Sequence, residues 1–141
     1  MSTRAIIANK QLVFSSKIEN LGLIENLIDE LCAQHAIGED LYGNIIISLT
    51  EAVNNAIKHG NANNPSLNTQ VTCSLLNERI VFTVSDEGKG FNHLDLPDPT
   101  APENRNKITG RGVFLMQQLA EEVNFNASGN QVELCFNFAA N

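Results

Sequence analysis

The amino-acid sequence predicts an α+β fold, a two-layer α/β sandwich whose mixed, mostly antiparallel sheet is covered by helices on one face. Three observations point there. The predicted elements run strand, two helices, two strands, long loop, helix, two strands. Consecutive strands are separated by short turns, which join antiparallel neighbours. The regular strand–helix alternation of a doubly wound parallel sheet is missing. A chain of 141 residues suits one domain with one core.

Residues 10–16 (KQLVFSS) alternate loosely between polar and apolar and predict a first strand. Ile18, Leu21, Ile24, Leu27, Ile28, Leu31 and Cys32 then recur at spacings of three and four, the period of a helix with one buried face. That pattern fades near Ile37, where Gly38 supplies a stop. Asp40 is the expected N-cap of a second helix that runs through LYGNIIISLTEAVNNAIKH and ends at Gly60. The segment NANNPS is loop by composition. LNTQVTCSLL and RIVFTVSD are rich in β-formers and flank Asn77-Glu78, which predicts an antiparallel hairpin. Residues 87–112 are rich in glycine and proline and poor in apolar side chains; a loop of that length inside a small domain is often a functional lid. VFLMQQLAEEV returns to helix. Strands at about 124–127 and 132–138 close the chain around Ser128-Gly129-Asn130.

Composition excludes several classes. No apolar run approaches the roughly 20 residues needed to cross a bilayer, and the N-terminus lacks a secretory pattern, so a cytoplasmic location is expected. A formal charge of −7 argues against a general nucleic-acid binder and leaves room for a protein partner with a basic face. Cys32, Cys73 and Cys135 have neither metal-ligand nor redox spacing, and their apolar neighbours predict buried, reduced thiols.

Three motifs carry chemistry. In SLTEAVNNAIKHGN, Glu51 and Asn55 are four residues apart and share one helix face, which Lys58 and His59 continue. An amide oxygen suits Mg²⁺, and a carboxylate beside it can deprotonate a hydroxyl. The plainer reading is a solvated helix face with its cation at the C-terminal end, where the helix dipole favours it. In VSDEGKGF, Asp86, Gly88 and Gly90 form D-x-G-x-G after a strong strand. Such glycines let a flat ligand approach the backbone while the carboxylate accepts from its amino group; an ordinary Asp-Gly turn fits as well. In TGRGVFLMQQL, Gly110 and Gly112 flank Arg111 directly before a helix. That arrangement is either an anion site at the helix N-terminus or a flexible lead-in.

Taken together, in this order, the three motifs resemble the N, G1 and G2 boxes of the GHKL (Bergerat) ATP-binding fold. EAVNNAIKHGN, VSDEGKGF and GRGVFLMQQLAEEV look most similar to the bacterial anti-sigma-factor serine/threonine kinases. The resemblance implies a single histidine-kinase-like ATPase domain over residues 1–141, with ATP and Mg²⁺ as cofactors. It implies Asn55 as metal ligand, Glu51 as catalytic base, and Asp86 on the adenine amino group with Gly88 and Gly90 shaping the base pocket. Gly110 and Gly112 would approach the phosphates, with Lys58, Lys107 and Arg111 as further phosphate contacts. His59 is placed near the site without an assigned role. The implied partners are a small anti-anti-sigma protein, phosphorylated on Ser or Thr, and a sigma factor held inactive; a homodimer is expected. An ATP-dependent partner switch without kinase activity, and a chain whose boxes bind no nucleotide, remain as alternatives.

Overall fold

Alternating burial along the strands builds the sheet. β1 (Ala8–Ser15), β2 (Asn68–Leu75), β3 (Arg79–Ser85), β4 (Glu122–Phe125) and β5 (Gln131–Asn137) lie in the order β1-β2-β3-β5-β4, and every pairing is antiparallel. The computed structural model describes residues 8–35, 37–76, 78–88 and 108–138, with backbone alone at 8 and 108–112. Register puts Cys73 opposite Phe82, and Phe82 opposite Leu134, on the buried face. Thr72, Thr83 and Glu133 line up on the other face and are only partly covered. A sheet apolar on one side needs one covering layer, and the helices supply it.

That layer consists of α1 (Leu21–His35), α2 (Glu39–Asn55) and α3 (Ile108–Leu119). Ile24, Leu27, Ile28 and Leu31 of α1, Ile45, Leu49, Ala52 and Val53 of α2, and Val113 and Met116 of α3 join the sheet in one core. At its centre Phe82 and Phe136 meet edge to face, with centroids 6.1 Å apart. The sheet is thus the antiparallel form of the predicted sandwich. Among the described residues no helix is long and apolar enough to cross a membrane. All three cysteines are free. Cys73 and Cys135 are buried as expected, and burial pushes the Cys73 thiol up to about 12, whereas Cys32 is only half-covered.

Several boundaries differ from the sequence reading, each for a local reason. Ile18–Asn20 forms a 3₁₀ turn before α1, held where Asn20 Nδ2 donates to Ser15 O at 2.7 Å. The N-cap of α2 is Gly38, in extended conformation; Asp40 instead lies with Glu39 in the first turn, where the helix dipole favours acids. α3 starts at Ile108, so Gly110, Arg111 and Gly112 lie within the helix and do not precede it. It also stops at Leu119, although Ala120, Glu121 and Glu122 are acceptable helix residues. Glu121 N–H donates to Cys135 O at 2.8 Å and Val123 pairs with Leu134, so sheet pairing overrides propensity there.

The end of α2 is the most consequential departure. Ala56–Gly60 forms a π turn, and Asn61 N–H reaches back five residues to Ala56 O at 2.8 Å. A π turn slips the helical phase by about one residue, which carries Asn61 inward until it is 1% exposed. Its Nδ2 donates to Ser16 Oγ at 2.7 Å and Asn68 O at 2.9 Å, while its Oδ1 accepts from Glu87 N–H at 2.8 Å. Ser16 and Thr69 hydroxyls share a further bond of 2.9 Å. One amide thereby ties the end of α2 to the end of β1, to the start of β2 and to the segment after β3. Asn61→Ala is expected to cost about 2–3 kcal/mol, because it strands buried polar groups. Urea unfolding measures this; a loss under about 0.5 kcal/mol, typical of a neutral surface change, would contradict the network's role.

Candidate functional site

Asn55 is the last residue of α2, and the helix turns it into the protein rather than toward solvent. It is 7% exposed, and among the described residues neither its Nδ2 nor its Oδ1 has a hydrogen-bond partner. Among the described residues it is the only side chain buried with both ends of its polar group unpaired. Such a group costs about 1–3 kcal/mol unless something satisfies it, so the residue has the character of a ligand. An amide oxygen is a suitable donor for a hard cation. Among the described residues no three His, Cys, Asp or Glu side chains cluster closely enough to hold a metal; a metal here would share its ligands with another molecule.

Asn55 opens on a narrow cleft between the helix layer and one end of the sheet. Ala52, Ala56, Val84, Met116 and Val132 give it apolar walls, and Asn55, Asp86 and Asn130 add polar groups. A small apolar cavity with a few placed polar groups suits a flat heterocycle.

Asp86 follows β3 directly, where the strand alternation ends. Burial raises its carboxyl above the ordinary carboxylate range, and the Gly88 N–H, 2.8 Å from Oδ1, partly offsets this. Its own N–H donates to Asn130 O at 3.0 Å. The chain passes so close here that two glycines are obligatory. A Cβ at Gly60 would overlap the Asp86 carboxylate, and one at Gly88 would overlap the Gly60 carbonyl. Asn55 and Asp86 thus reach one cavity only because the π turn and the segment after β3 touch through bare backbone.

The other residues singled out in the sequence are distributed around this centre. Glu51 is half-buried on α2, one turn before Asn55, and is not part of the cavity wall. Lys58 and His59 are exposed in the π turn and are also absent from the wall, because the phase slip ends the face they were expected to continue. Gly110, Arg111 and Gly112 are the third to fifth residues of α3, whose first four N–H groups lack partners within the helix. Gly90, Lys107 and the expected lid lie outside the described residues. Sequence reasoning missed Gly60 as a contact residue, reading it as a helix stop; it read Asn130 only as part of a turn and gave Asn61 no role of its own. Asn126 was also missed, although an Asn before Ser128-Gly129 is a recognisable turn signal.

Comparison with known proteins identifies relatives of the chain. Over 84 residues the chain is 31% identical to the serine-protein kinase RsbW of Staphylococcus epidermidis, covering 55% of this chain and 53% of that protein. Its identity to the RsbW of Staphylococcus aureus is 29% over 84 residues, with the same coverage. It is 28% identical over 120 residues to the anti-sigma F factor of Shouchella clausii, covering 83% of this chain and 82% of that protein. The chain spans about half the length of the RsbW proteins it matches. Residues 14–136, nearly the whole described sandwich, match the histidine kinase-like ATPase domain, and the chain belongs to that family.

Proposed function

We propose that this chain is an ATP-dependent protein serine/threonine kinase that acts as an anti-sigma factor. It transfers the γ-phosphoryl group to Ser or Thr of a small anti-anti-sigma protein and, in its other state, holds a sigma factor inactive. The observation that carries the reading is the pairing of the unsatisfied Asn55 amide with the half-buried Asp86 carboxylate on one cavity. The names of the relatives, a serine-protein kinase and an anti-sigma F factor, support it.

In this reading Asp86 accepts from the adenine amino group and Gly88 leaves room for the ring. Asn55 Oδ1 would hold Mg²⁺, which would supply charge neutralisation for the phosphates. Backbone N–H groups at the start of α3, around Gly110 and Gly112, face the phosphate end, with Arg111, Lys107 and Lys58 adding charge. Glu51 takes the proton from the attacking hydroxyl. Phosphoryl transfer asks mostly for positioning and charge stabilisation, so few groups are needed. A nucleotide-dependent switch without transfer is the second reading, favoured by the placement of Glu51 off the cavity wall. Labelled ATP incubated with the chain and its cognate antagonist separates the two, since a switch leaves the antagonist unlabelled.

Three outcomes are expected. Asn55→Ala should lower Mg-ATP affinity at least about tenfold, the loss of one good ligand interaction, and remove the dependence of binding on Mg²⁺; calorimetry with and without EDTA reads both. Glu51→Ala should keep ATP affinity within about threefold while phosphate transfer falls by about 10²-fold or more. Undiminished transfer by that variant would remove Glu51 as the base.

Asp86→Asn tests a trade between stability and binding. A carboxyl raised in the fold contributes stability below its unfolded pKa and loses it as pH rises through the folded value. The asparagine variant should therefore melt about 1–3 °C higher than the native chain near neutral pH. The difference should shrink as pH falls toward about 4. The same variant should lose ATP affinity. Equal melting temperatures across that range would show that the buried carboxylate carries no cost.

A further inference from the structure

β3 parts from β2 just before the candidate site, and side chains take over the ladder there. The last register pair between the two strands is Gln70 with Ser85; the same register, carried on, would set Asn68 opposite Glu87. An antiparallel pair of that kind exchanges two backbone bonds, each N–H donating to the other residue's carbonyl. Here both bonds are substituted. The Asn61 amide stands between one donor and its acceptor: Oδ1 accepts from the Glu87 N–H at 2.8 Å, and Nδ2 donates to Asn68 O at 2.9 Å. The other bond is replaced by Glu87 itself, whose carboxylate accepts from the Asn68 N–H.

These substitutions hold the chain off β2 while its other side stays in the sheet, since the Asp86 N–H donates to Asn130 O at 3.0 Å. The displaced segment is the one that meets Gly60 through bare backbone and presents Asp86 to the cleft. The two wedges differ in kind. Asn61 is buried and its amide serves the fold. Glu87 is exposed and anchors the turn to which it belongs. Its bond is charge-assisted, and the Asn68 N–H lies where water can replace the carboxylate. Loss of this bond therefore bears on where the turn sits more than on whether the sheet forms.

We propose that Glu87 is a positioning residue for the nucleotide: its carboxylate, standing in for a ladder carbonyl, holds residues 86–88 away from β2 and so sets Asp86 in the cleft. This rests on the nucleotide reading above and adds to it a residue that acts through Asp86.

Calorimetric titration of the full chain with ATP, in Mg²⁺ and in EDTA, tests the inference, with thermal melting alongside. Glu87→Ala should weaken ATP binding about threefold to tenfold. The factor should be the same in both media, because the base end of the site is disturbed and Asn55 is not. Its melting temperature should stay within about 2 °C, as for an exposed side chain. Glu87→Gln keeps an acceptor oxygen at the same reach and should bind ATP within about twofold of the native chain. If Glu87→Ala does not fold, Glu87→Asp, which keeps the charge but is one methylene shorter, carries the same comparison. Native affinity in folded Glu87→Ala, a glutamine variant as weak as the alanine one, or a loss confined to Mg²⁺ would each overturn the inference and leave the nucleotide reading intact. Absence of ATP binding in the native chain would overturn both.

Discussion

The site depends on a contact that side chains would forbid: the Gly60 carbonyl lies against Gly88, with the Asp86 carboxylate wedged beside it. A helix and a strand end normally stand apart by the length of their side chains. Here both surrender those side chains at the point of contact, and the cavity is the space left between Asn55 on one element and Asp86 on the other. Asn61 reinforces the approach by accepting the Glu87 N–H and reaching Ser16 and Asn68 on its other side. The π turn makes this geometry available. Without the extra residue per turn, Gly60 and Asn61 would be rotated away from the sheet.

The groups that make the cavity suitable for a ligand also weigh against stability. Asp86 is buried enough to disfavour its charged form, and Asn55 has no partner among the described residues for either end of its amide. Neither arrangement would survive in a chain optimised for folding alone. The remainder of the sandwich offsets the cost through ordinary means: one continuous apolar core, a regular antiparallel ladder and a polar outer face. Violations of local rules gather at one end of the sheet, as expected where function rather than folding sets the residues.

That distribution explains what could be read in the sequence. The fold class was legible because the alternation in RIVFTVS and the three-and-four spacing in α1 are direct consequences of facing one core. Asn55 and Asp86 were legible as cavity residues because their type and place in the sequence carry chemistry within a few residues. Asn61 and Asn130 were not, because their importance lies in hydrogen bonds to residues far away in the chain, which leave no periodic trace. Gly60 was seen and misjudged: a glycine ending a helix is common, and only the neighbouring carboxylate gives it a second role. The stop of α3 at Leu119 was hidden for a related reason, since Ala120 and Glu121 have helix propensity and only Cys135 across the sheet decides their fate.

The position of Glu51 bears on the choice between kinase and switch. A base acting on a small substrate would be expected on the cavity wall, beside the ring it serves. The proposed substrate is a hydroxyl on another protein, which cannot enter a narrow cleft walled by Ala52, Val84 and Met116. It must approach from outside, at the phosphate end, and its base belongs at the rim. Glu51 is half-buried one turn before Asn55, so it is close to the proposed metal ligand yet clear of the floor where a purine would lie. Its absence from the wall is therefore compatible with transfer to a protein, and the switch reading gains less from that absence than the bare geometry suggests.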